Sequence, residues 1–431
     1  MSEKYRRRIT HLEYLLLTDR KDIDCSELRE ACIYGIPDVF RPLCWRILLG
    51  YLPRERNLWP QHLKKQRMNY DALVNDIVVH PGQPTSELNM NNVTDHPLSL
   101  NPSSEWNNYF KDNEILAQID KDVRRLCPEI QFFQRTTNYP HRQAARMNLS
   151  KRVRQDNLIS KNINYSAYIN FFPAPSKVAQ VEYSNEVEDQ DSEKHWQVVE
   201  RVLFIYSKLN PGVHYVQGMN ELVGPIYYVF ANDSDTTWAE FAEADTYYCF
   251  QQLMSEIKDN FIRTLDKSNC GIESMMSTFY KRLEGCDSEL YATITKKLCI
   301  HPQFYAFRWL SLLLSQEFPL PDVIALWDSL FSHTDRLDFL QWICLAMLVN
   351  ERKRLLMSDF STSLKLLQNY PVVDVGYLIA LATGLKEGRY KVSKNELSDD
   401  TSSSNESEKS RNSKERLATI ISGTVKHLIR K

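Results

Sequence analysis

The residues of this sequence that could do chemistry are an arginine and a glutamine, because each stands where a helical pattern begins or ends. Asp122 and Arg125 lie three residues apart, so on a helix they share a face and the carboxylate can orient the guanidinium. Arg124 points about 100° away around the same helix. Taken alone, an Asp-x-x-Arg pair is usually a surface ion pair.

A helix is expected to carry this pair. Asn113 can cap its start and Pro128 stops it, so Arg125 falls near the last turn, where a long side chain can project. The positions that turn mainly inward are Ile115, Leu116, Ile119, Val123 and Leu126.

The glutamine follows a turn and precedes a second helix. Asn210-Pro211-Gly212 indicates the turn, and an apolar helix begins after Gly218. Gln217 therefore stands at a helix entrance, where N–H groups and the helix dipole favour anions. Gly218 either supplies a positive φ or lets a partner backbone come close. Taken alone, Gln217 would more often be an ordinary loop residue.

No set of residues typical of a self-sufficient enzyme is found. The sequence has no GxxxxGK[ST] phosphate loop, no HExxH and no GxSxG. Cys44 and Cys299 could be nucleophiles, the latter beside His301, but a buried thiol is the favoured interpretation of each. The nine cysteines show no metal-binding spacing, so we expect reduced thiols, a cytosolic protein and no metal site.

Composition argues against two classes of protein. Lys plus Arg is 53 and Asp plus Glu is 55, a formal net charge of -2, which disfavours a nucleic-acid binder that works by neutralising phosphates. We expect no signal peptide and no membrane span, since no uncharged apolar stretch reaches about 18 residues. With 43% hydrophobic residues, the chain can bury a large core.

Helical periodicity dominates the sequence and predicts an all-α fold. Glycine is rare, at 12 residues, and long alternating patterns are few. Residues 304–331 are densely apolar, as expected of two buried helices separated at Pro319 and Pro321. Residues 338–348 predict another apolar helix, and residues 198–209 predict an amphipathic one.

Two segments are expected to be loops inserted into the helical body. The first, near residues 79–106, is rich in Pro, Asn and Ser. In the second, near residues 135–194, the part 135–161 holds seven Lys or Arg against one acid, and the part 182–193 holds six carboxylates. This asymmetry fits either a loop that meets a charged partner or itself, or a solvated loop, which is the more frequent case.

The carboxyl-terminal region is expected to lie outside the helical domain of residues 1–390. Residues 391–413 are polar and indicate a disordered linker. Residues 414–431 place apolar side chains on one helical face with lysines and arginines around it. Such a basic amphipathic helix either lies on an anionic membrane, docks in a partner groove or packs back on the domain.

Four short motifs occur along the chain in the order of a known family. One is Ile119-x-x-Asp122-x-x-Arg125, an IxxDxxR motif, and the next is Tyr215-Val216-Gln217-Gly218, a YxQG motif. With these and two signatures of mainly architectural residues, the chain resembles the TBC domain family of Rab GTPase-activating proteins up to about residue 390. The signature residues are Gly35, Ile36, Pro37, Arg41 and Trp45 early in the chain, and Arg308, Trp309, Trp327 and Asp328 late in it.

The resemblance implies a TBC-type helical fold that acts on a GTP-bound Rab GTPase in membrane trafficking. Arg125 would be an arginine finger placed by Asp122, and Gln217 would orient the attacking water in place of the GTPase's own glutamine. GTP and Mg²⁺ would belong to the partner, so the chain needs no cofactor of its own. The loops that present the two fingers would be shaped by Ile119, Tyr215, Gly218 and Met219.

The sequence departs from the family pattern at two points. Leu126 follows Arg125 where many family members have Thr, and the second insertion makes the spacing from Arg125 to Gln217 long. Two other functions stay open: a catalytically silent Rab-binding effector with the same fold, and a helical scaffold acting through its charged loop and basic tail. The expected location is the cytoplasm, with peripheral contact with endomembranes through residues 414–431.

Overall fold

The structure, a computed structural model, describes most of the helical region. The predicted linker, the predicted terminal helix and most of both insertions lie outside the described part, so their structure and the domain boundaries stay predictions. The described residues are 3–17, 21–79, 105–143, 149, 150, 152, 192–262 and 271–389.

Within those residues the chain forms helices and no β-strand, which confirms the all-α fold class. The β-type pairings there are two isolated bridges. In chain order the helices are α1 Glu3–Leu17, α2 Cys25–Cys32, α3 Arg41–Leu48, α4 Trp59–Val74, α5 Glu105–Val123, α6 His195–Leu209, α7 Met219–Ala231, α8 Thr236–Ala239, α9 Ala242–Ile257, α10 Ile272–Cys286, α11 Ser288–Ala292, α12 Ala306–Ser311, α13 Leu320–Ser332, α14 Arg336–Asn350, α15 Arg352–Met357, α16 Phe360–Gln368 and α17 Val375–Lys386.

The described residues fall into two compact units. The first holds the residues up to Met276 together with 305–336, and the second holds 277–304 together with the residues from Leu337 onward. Helices α10 and α14 each have residues in both units. The loop that carries Arg125 and the loop that carries Gln217 both belong to the first unit.

Helix α6 lies among α5, α7 and α9 in the first unit. Residues 198–209 have the amphipathic pattern predicted, but every residue from Trp196 to Ser207 is buried, so the polar side chains of this stretch do not face water. Since three helices surround α6, no side of its first three turns meets water. Its buried Arg201 is neutralised by ion pairs with Glu193 and Glu243.

The two ends of the second predicted insertion lie side by side. Thr136 forms an antiparallel bridge with Lys194, and the Thr137 N–H donates to the Glu193 carbonyl oxygen at 2.8 Å. Residues 136–137 and 193–194, at the two ends of this segment, are therefore paired with each other. The insertion that makes the spacing between the IxxDxxR and YxQG motifs long has its two ends paired at this bridge.

A buried carboxylate joins the early and late signatures. Asp328 of α13 accepts hydrogen bonds from Ile36 N at 2.8 Å, Arg41 Nε at 3.0 Å and Trp45 Nε1 at 2.8 Å. Burial raises the pKa of Asp328 to about 6, against the opposing charge of Arg41. Gly35 turns the chain toward this carboxylate with a φ of +96°, a conformation that favours glycine.

The other signature residues also make structural contacts. Trp327 Nε1 donates to the Leu313 carbonyl oxygen at 3.0 Å, and Arg308 forms an ion pair with Glu317 at 2.6 Å. Two further members, Pro37 and Trp309, are buried. The mainly architectural role expected for the signatures stays a prediction.

The apolar stretch 304–331 forms two helices, as predicted, but they are separated differently. Helix α12 ends at Ser311, and residues 312–318 form turns in which Leu313 and Leu314 adopt positive φ values of 50° and 63°. Pro321 lies in the first turn of α13, where proline is tolerated because the first N–H groups have no partner within the helix. The separation is therefore a packed turn segment rather than the prolines alone.

In the second unit, helix α14 includes the residues 338–348 for which a helix was predicted. Asp287 caps α11 by accepting the Leu290 N–H at 2.9 Å, and the same carboxylate binds Arg352 Nε at 2.5 Å. One buried side chain thus fixes both the start of α11 and the start of α15.

The two cysteines considered as nucleophiles differ in exposure. Cys44 is buried, as expected, but Cys299 is exposed in a turn with a φ of 52°, so the prediction of a buried thiol is wrong there. Among the described residues no disulfide forms, and no group of His, Cys, Asp and Glu is arranged to hold a metal ion. None of the described helices combines the length and the apolar character needed to span a bilayer.

The Asp328 cluster gives a prediction about stability. Asp328→Asn removes the charge that Arg41 meets inside the protein, and we expect the free energy of unfolding to fall by about 3 kcal/mol. Asp38, which is 92% exposed, pairs with the same guanidinium from the solvent side, so Asp38→Asn should cost much less. Urea denaturation of both variants checks this, and equal losses would contradict the structural role of Asp328.

Candidate functional site

Arg125 lies in the turn that follows α5. The helix begins at Glu105, so Asn113 is an internal residue and the predicted cap is wrong: the helix continues through the end of the segment that had been assigned to the first insertion. The helix ends at Val123, before the Pro128 that was expected to stop it. The chain turns away through Cys127, whose φ is 43°.

Two neighbouring arginines are placed differently by this turn. The Arg125 side chain is 69% exposed, and its Nη2 lies 3.1 Å from Asp122 Oδ1. Arg124 is 24% exposed, because it pairs with Asp120 at 2.8 Å and lies over the Trp196 ring at 4.2 Å. Arg125 is therefore the arginine that can reach another molecule, as the sequence predicts.

Asp122 connects the arginine loop to the glutamine loop. Its Oδ1 faces Arg125, and its Oδ2 accepts a hydrogen bond from the Tyr215 hydroxyl at 2.8 Å. Burial and the adjacent Asp122 charge both raise the pKa of Tyr215, which keeps the hydroxyl protonated as a donor. The IxxDxxR and YxQG motifs are thus held together through one buried carboxylate.

Gln217 is exposed in the turn before α7. The next residue, Gly218, has a φ of 103°, so the positive φ is one reason for glycine here. A Cβ on Gly218 would lie 2.8 Å from Leu312 Cδ2, which means that the close neighbour is the protein's own turn segment 312–318. Met219 follows as the buried first residue of α7.

Leu126, the residue that departs from the family pattern, packs against α7, the helix that follows Gln217. It is buried, and a Cβ on Gly224 of α7 would lie 3.0 Å from its Cδ1. Leucine at this position therefore presses the arginine loop against the helix that follows Gln217. Ile119 is buried in α5, about one turn before the helix ends at Val123, and fixes the helix beneath the loop.

The site contains residues that sequence reasoning missed. Asn220 Nδ2 donates to Glu221 Oε1 at 2.9 Å, and the Gln316 side chain also hydrogen-bonds to Glu221. No motif marks Gln316 or Leu312, because both come from a turn segment almost a hundred residues away in sequence. The position of Glu221 three residues after the YxQG motif was the only available signal.

Comparison with known proteins supports the resemblance noted in the sequence. Residues 178–356 match the Rab-GTPase-TBC domain, a region that includes Gln217 and begins after Arg125. TBC1 domain family member 13 of Mus musculus and that of Homo sapiens are each 48% identical to this chain over 404 residues, covering 90% of this chain and all of theirs.

The fold is shared with a solved structure. The crystal structure of the Ypt/Rab-GAP domain of Gyp1p superposes with a TM-score of 0.62 at 21% identity, covering 89% of this chain and 99% of that chain. Fold and site together define a TBC-type helical domain that exposes an arginine and a glutamine. The chain belongs to the TBC domain family, as its similarity to the two member 13 proteins shows.

Gly218 gives a prediction about the glutamine loop. Gly218→Ala introduces strain at positive φ and a contact with Leu312, so we expect a loss of about 1–3 kcal/mol in the free energy of unfolding. Adding Leu312→Ala to Gly218→Ala should relieve only the part of the lost free energy of unfolding that the contact with Leu312 causes. A double-mutant cycle measures that part. Gly285→Ala, in open space within α10, is the matched control and should not destabilise. An unchanged stability in Gly218→Ala would show that the turn is not constrained in this way.

Proposed function

We propose that this protein is a GTPase-activating protein for a Rab-family GTPase, to which it supplies Arg125 and Gln217 in trans. The observation that carries the proposal is the pair of exposed side chains on two loops that the Asp122–Tyr215 hydrogen bond joins. The match to the Rab-GTPase-TBC domain supports the class of partner. The partner is taken to be in its GTP-bound state, since that state carries the γ-phosphate.

Arg125 would act on the charge that develops during hydrolysis. A small GTPase is slow because charge on the γ-phosphate and on the leaving oxygen is poorly neutralised, and because its attacking water is poorly positioned. An arginine supplied in trans contributes about 10³ to 10⁵ in rate, roughly 4–7 kcal/mol of barrier. Asp122 holds the guanidinium from the protein side and leaves most of it exposed for the phosphate.

Gln217 would act on the attacking water. Its amide can donate one hydrogen bond and accept another, which is what orienting a water molecule requires. In this role it replaces the glutamine that the GTPase itself would use. GTP and Mg²⁺ are carried by the partner, so the chain contributes side chains and no cofactor.

The test is single-turnover hydrolysis with a panel of GTP-loaded Rab proteins. We expect one or a few Rabs to be accelerated, and Arg125→Ala to lose about 10³-fold or more of that stimulation. Gln217→Ala should lose most of it, and Arg125→Lys should fail largely because an ammonium lacks the planar set of donors. Arg54→Ala and Gln251→Ala remove exposed side chains of the same types and should keep full stimulation.

Three results would contradict the proposal. Full stimulation in Arg125→Ala or in Gln217→Ala would show that the substituted side chain does not take part in the reaction. Loss of folding in either variant, seen as a lowered melting temperature, would place that side chain in the structure rather than in the reaction. Measurable binding of GTP-loaded Rabs without acceleration would favour the catalytically silent binder.

A role in membrane trafficking belongs to the same proposal. The basic amphipathic pattern of residues 414–431 suggests peripheral contact with an anionic membrane surface. Co-sedimentation with vesicles that contain phosphatidylserine tests this contact. Equal binding by the full chain and by a chain that ends at residue 391 would exclude the tail as the membrane contact.

A further inference from the structure

We propose that Glu221 is a positioning residue of the glutamine loop, and that its carboxyl group takes up a proton from solvent when GTP-loaded Rab docks. The inference rests on the proposed function. It predicts that docking and the stimulated hydrolysis depend on pH through a side chain that does not itself touch the nucleotide.

The geometry links Glu221 to both fingers. Its backbone N–H donates to the Gly218 carbonyl oxygen at 3.0 Å, so it is bonded directly to the turn that carries Gln217. Its Oε1 accepts from Asn220 Nδ2 at 2.9 Å, and Asn220 Oδ1 lies 3.4 Å from the Tyr215 hydroxyl. From Tyr215 the network continues through Asp122 to the arginine finger.

The surroundings of Glu221 disfavour its negative charge. Burial raises the pKa of the Glu221 carboxyl from 4.5 to about 7, and the charges of Glu129 and Asp122 act in the same direction. Hydrogen bonds from Asn220 and Gln316 oppose this shift, as does the amino-terminal end of α7, which favours anions. On balance, the protonated acid is more favourable for Glu221 than for a carboxyl group in water.

Three titratable groups of neighbouring described segments do not offset the charge of Glu221. From the arginine loop, Cys127 is neutral, because burial and the charges of Glu221 and Glu129 raise the pKa of its thiol. In the turn segment 312–318, Glu317 is already paired with Arg308. In the turn after α5, the Arg125 guanidinium is held by Asp122, and docking would direct it to the phosphate instead.

Docking would add negative charge beside this group. The γ-phosphate of GTP approaches the turn that Glu221 supports, and the partner surface excludes water from it. Both effects penalise the carboxylate and favour the protonated acid. A protonated Glu221 still accepts the Asn220 hydrogen bond through one oxygen, so the loop geometry is kept while the charge is removed.

The experiment measures the affinity of the full chain for the stimulated Rab, loaded with GDP and aluminium fluoride, between pH 6 and 8.5. A docking-induced shift of one pKa unit, from about 7 to about 8, weakens wild-type binding by up to about tenfold as the pH rises from below 7 to above 8. Glu221→Gln mimics the neutral acid and should lose this change, and its stimulated rate should decline less at pH 8. Titrations of the Rab affect both proteins equally, so the comparison cancels them.

Calorimetry in buffers of different ionisation enthalpy gives a second readout. At pH 7.5 the wild type should take up a fraction of a proton more than Glu221→Gln on binding. Glu284→Gln, which removes an exposed carboxylate from α10 of the second unit, is the control and should behave like the wild type. A merely structural role of Glu221 would change the affinity without changing the proton uptake.

The outcomes separate this inference from the proposed function. If the wild type neither binds nor stimulates any Rab, the proposed function fails. If it stimulates a Rab but Glu221→Gln keeps the wild-type pH dependence, only the inference fails.

The stability of the chain without a partner gives a further check. Between pH 4.5 and about 7 the folded state holds the Glu221 proton more tightly than the unfolded state does. The free energy of unfolding of the wild type should therefore fall, relative to that of Glu221→Gln, as the pH rises through this window. Equal pH–stability curves would overturn the assignment of the proton to Glu221.

Discussion

The candidate site depends on a single carboxylate that is shared between two loops. Asp122 is buried, and its two oxygens bind the Arg125 guanidinium and the Tyr215 hydroxyl. A free arginine side chain carries about 2 kcal/mol of rotamer entropy, which a partner would have to remove on binding. Because Asp122 already restricts Arg125, and Tyr215 restricts Asp122, both loops are ordered before any partner arrives.

Packing contacts elsewhere in the first unit hold the helices that carry these two loops. Helix α6 is buried among α5, α7 and α9, so the helices that carry the two motifs are fixed against a common element. Leu312 packs against the glutamine loop at Gly218, and Leu126 packs against α7 at Gly224. Farther away, the Asp328 cluster joins the two ends of this unit through three hydrogen bonds.

Features that depend on local pattern could be predicted from the sequence, and features that depend on distant contacts could not. The exposed arginine and its Asp122 partner follow from helix spacing, and the all-α class follows from periodicity. The burial of every residue from Trp196 to Ser207 could not be read from the sequence pattern, because it is set by helices that come before and after α6. Asn113 was wrongly predicted to cap the start of α5, because a residue type that favours helix caps can also lie inside a helix. The contacts of Glu221 and Gln316 bring together segments for which no spacing rule exists.

The most direct test of the account is a double-mutant cycle on Asp122→Asn and Tyr215→Phe, read out as the stimulated rate of GTP hydrolysis by the Rab that the chain accelerates. If Tyr215 acts only by holding Asp122, the double variant should be no slower than Asp122→Asn alone. The two single losses would then be strongly non-additive. If the losses instead multiply, the two side chains act independently, and the coupling of the two finger loops through one carboxylate is contradicted.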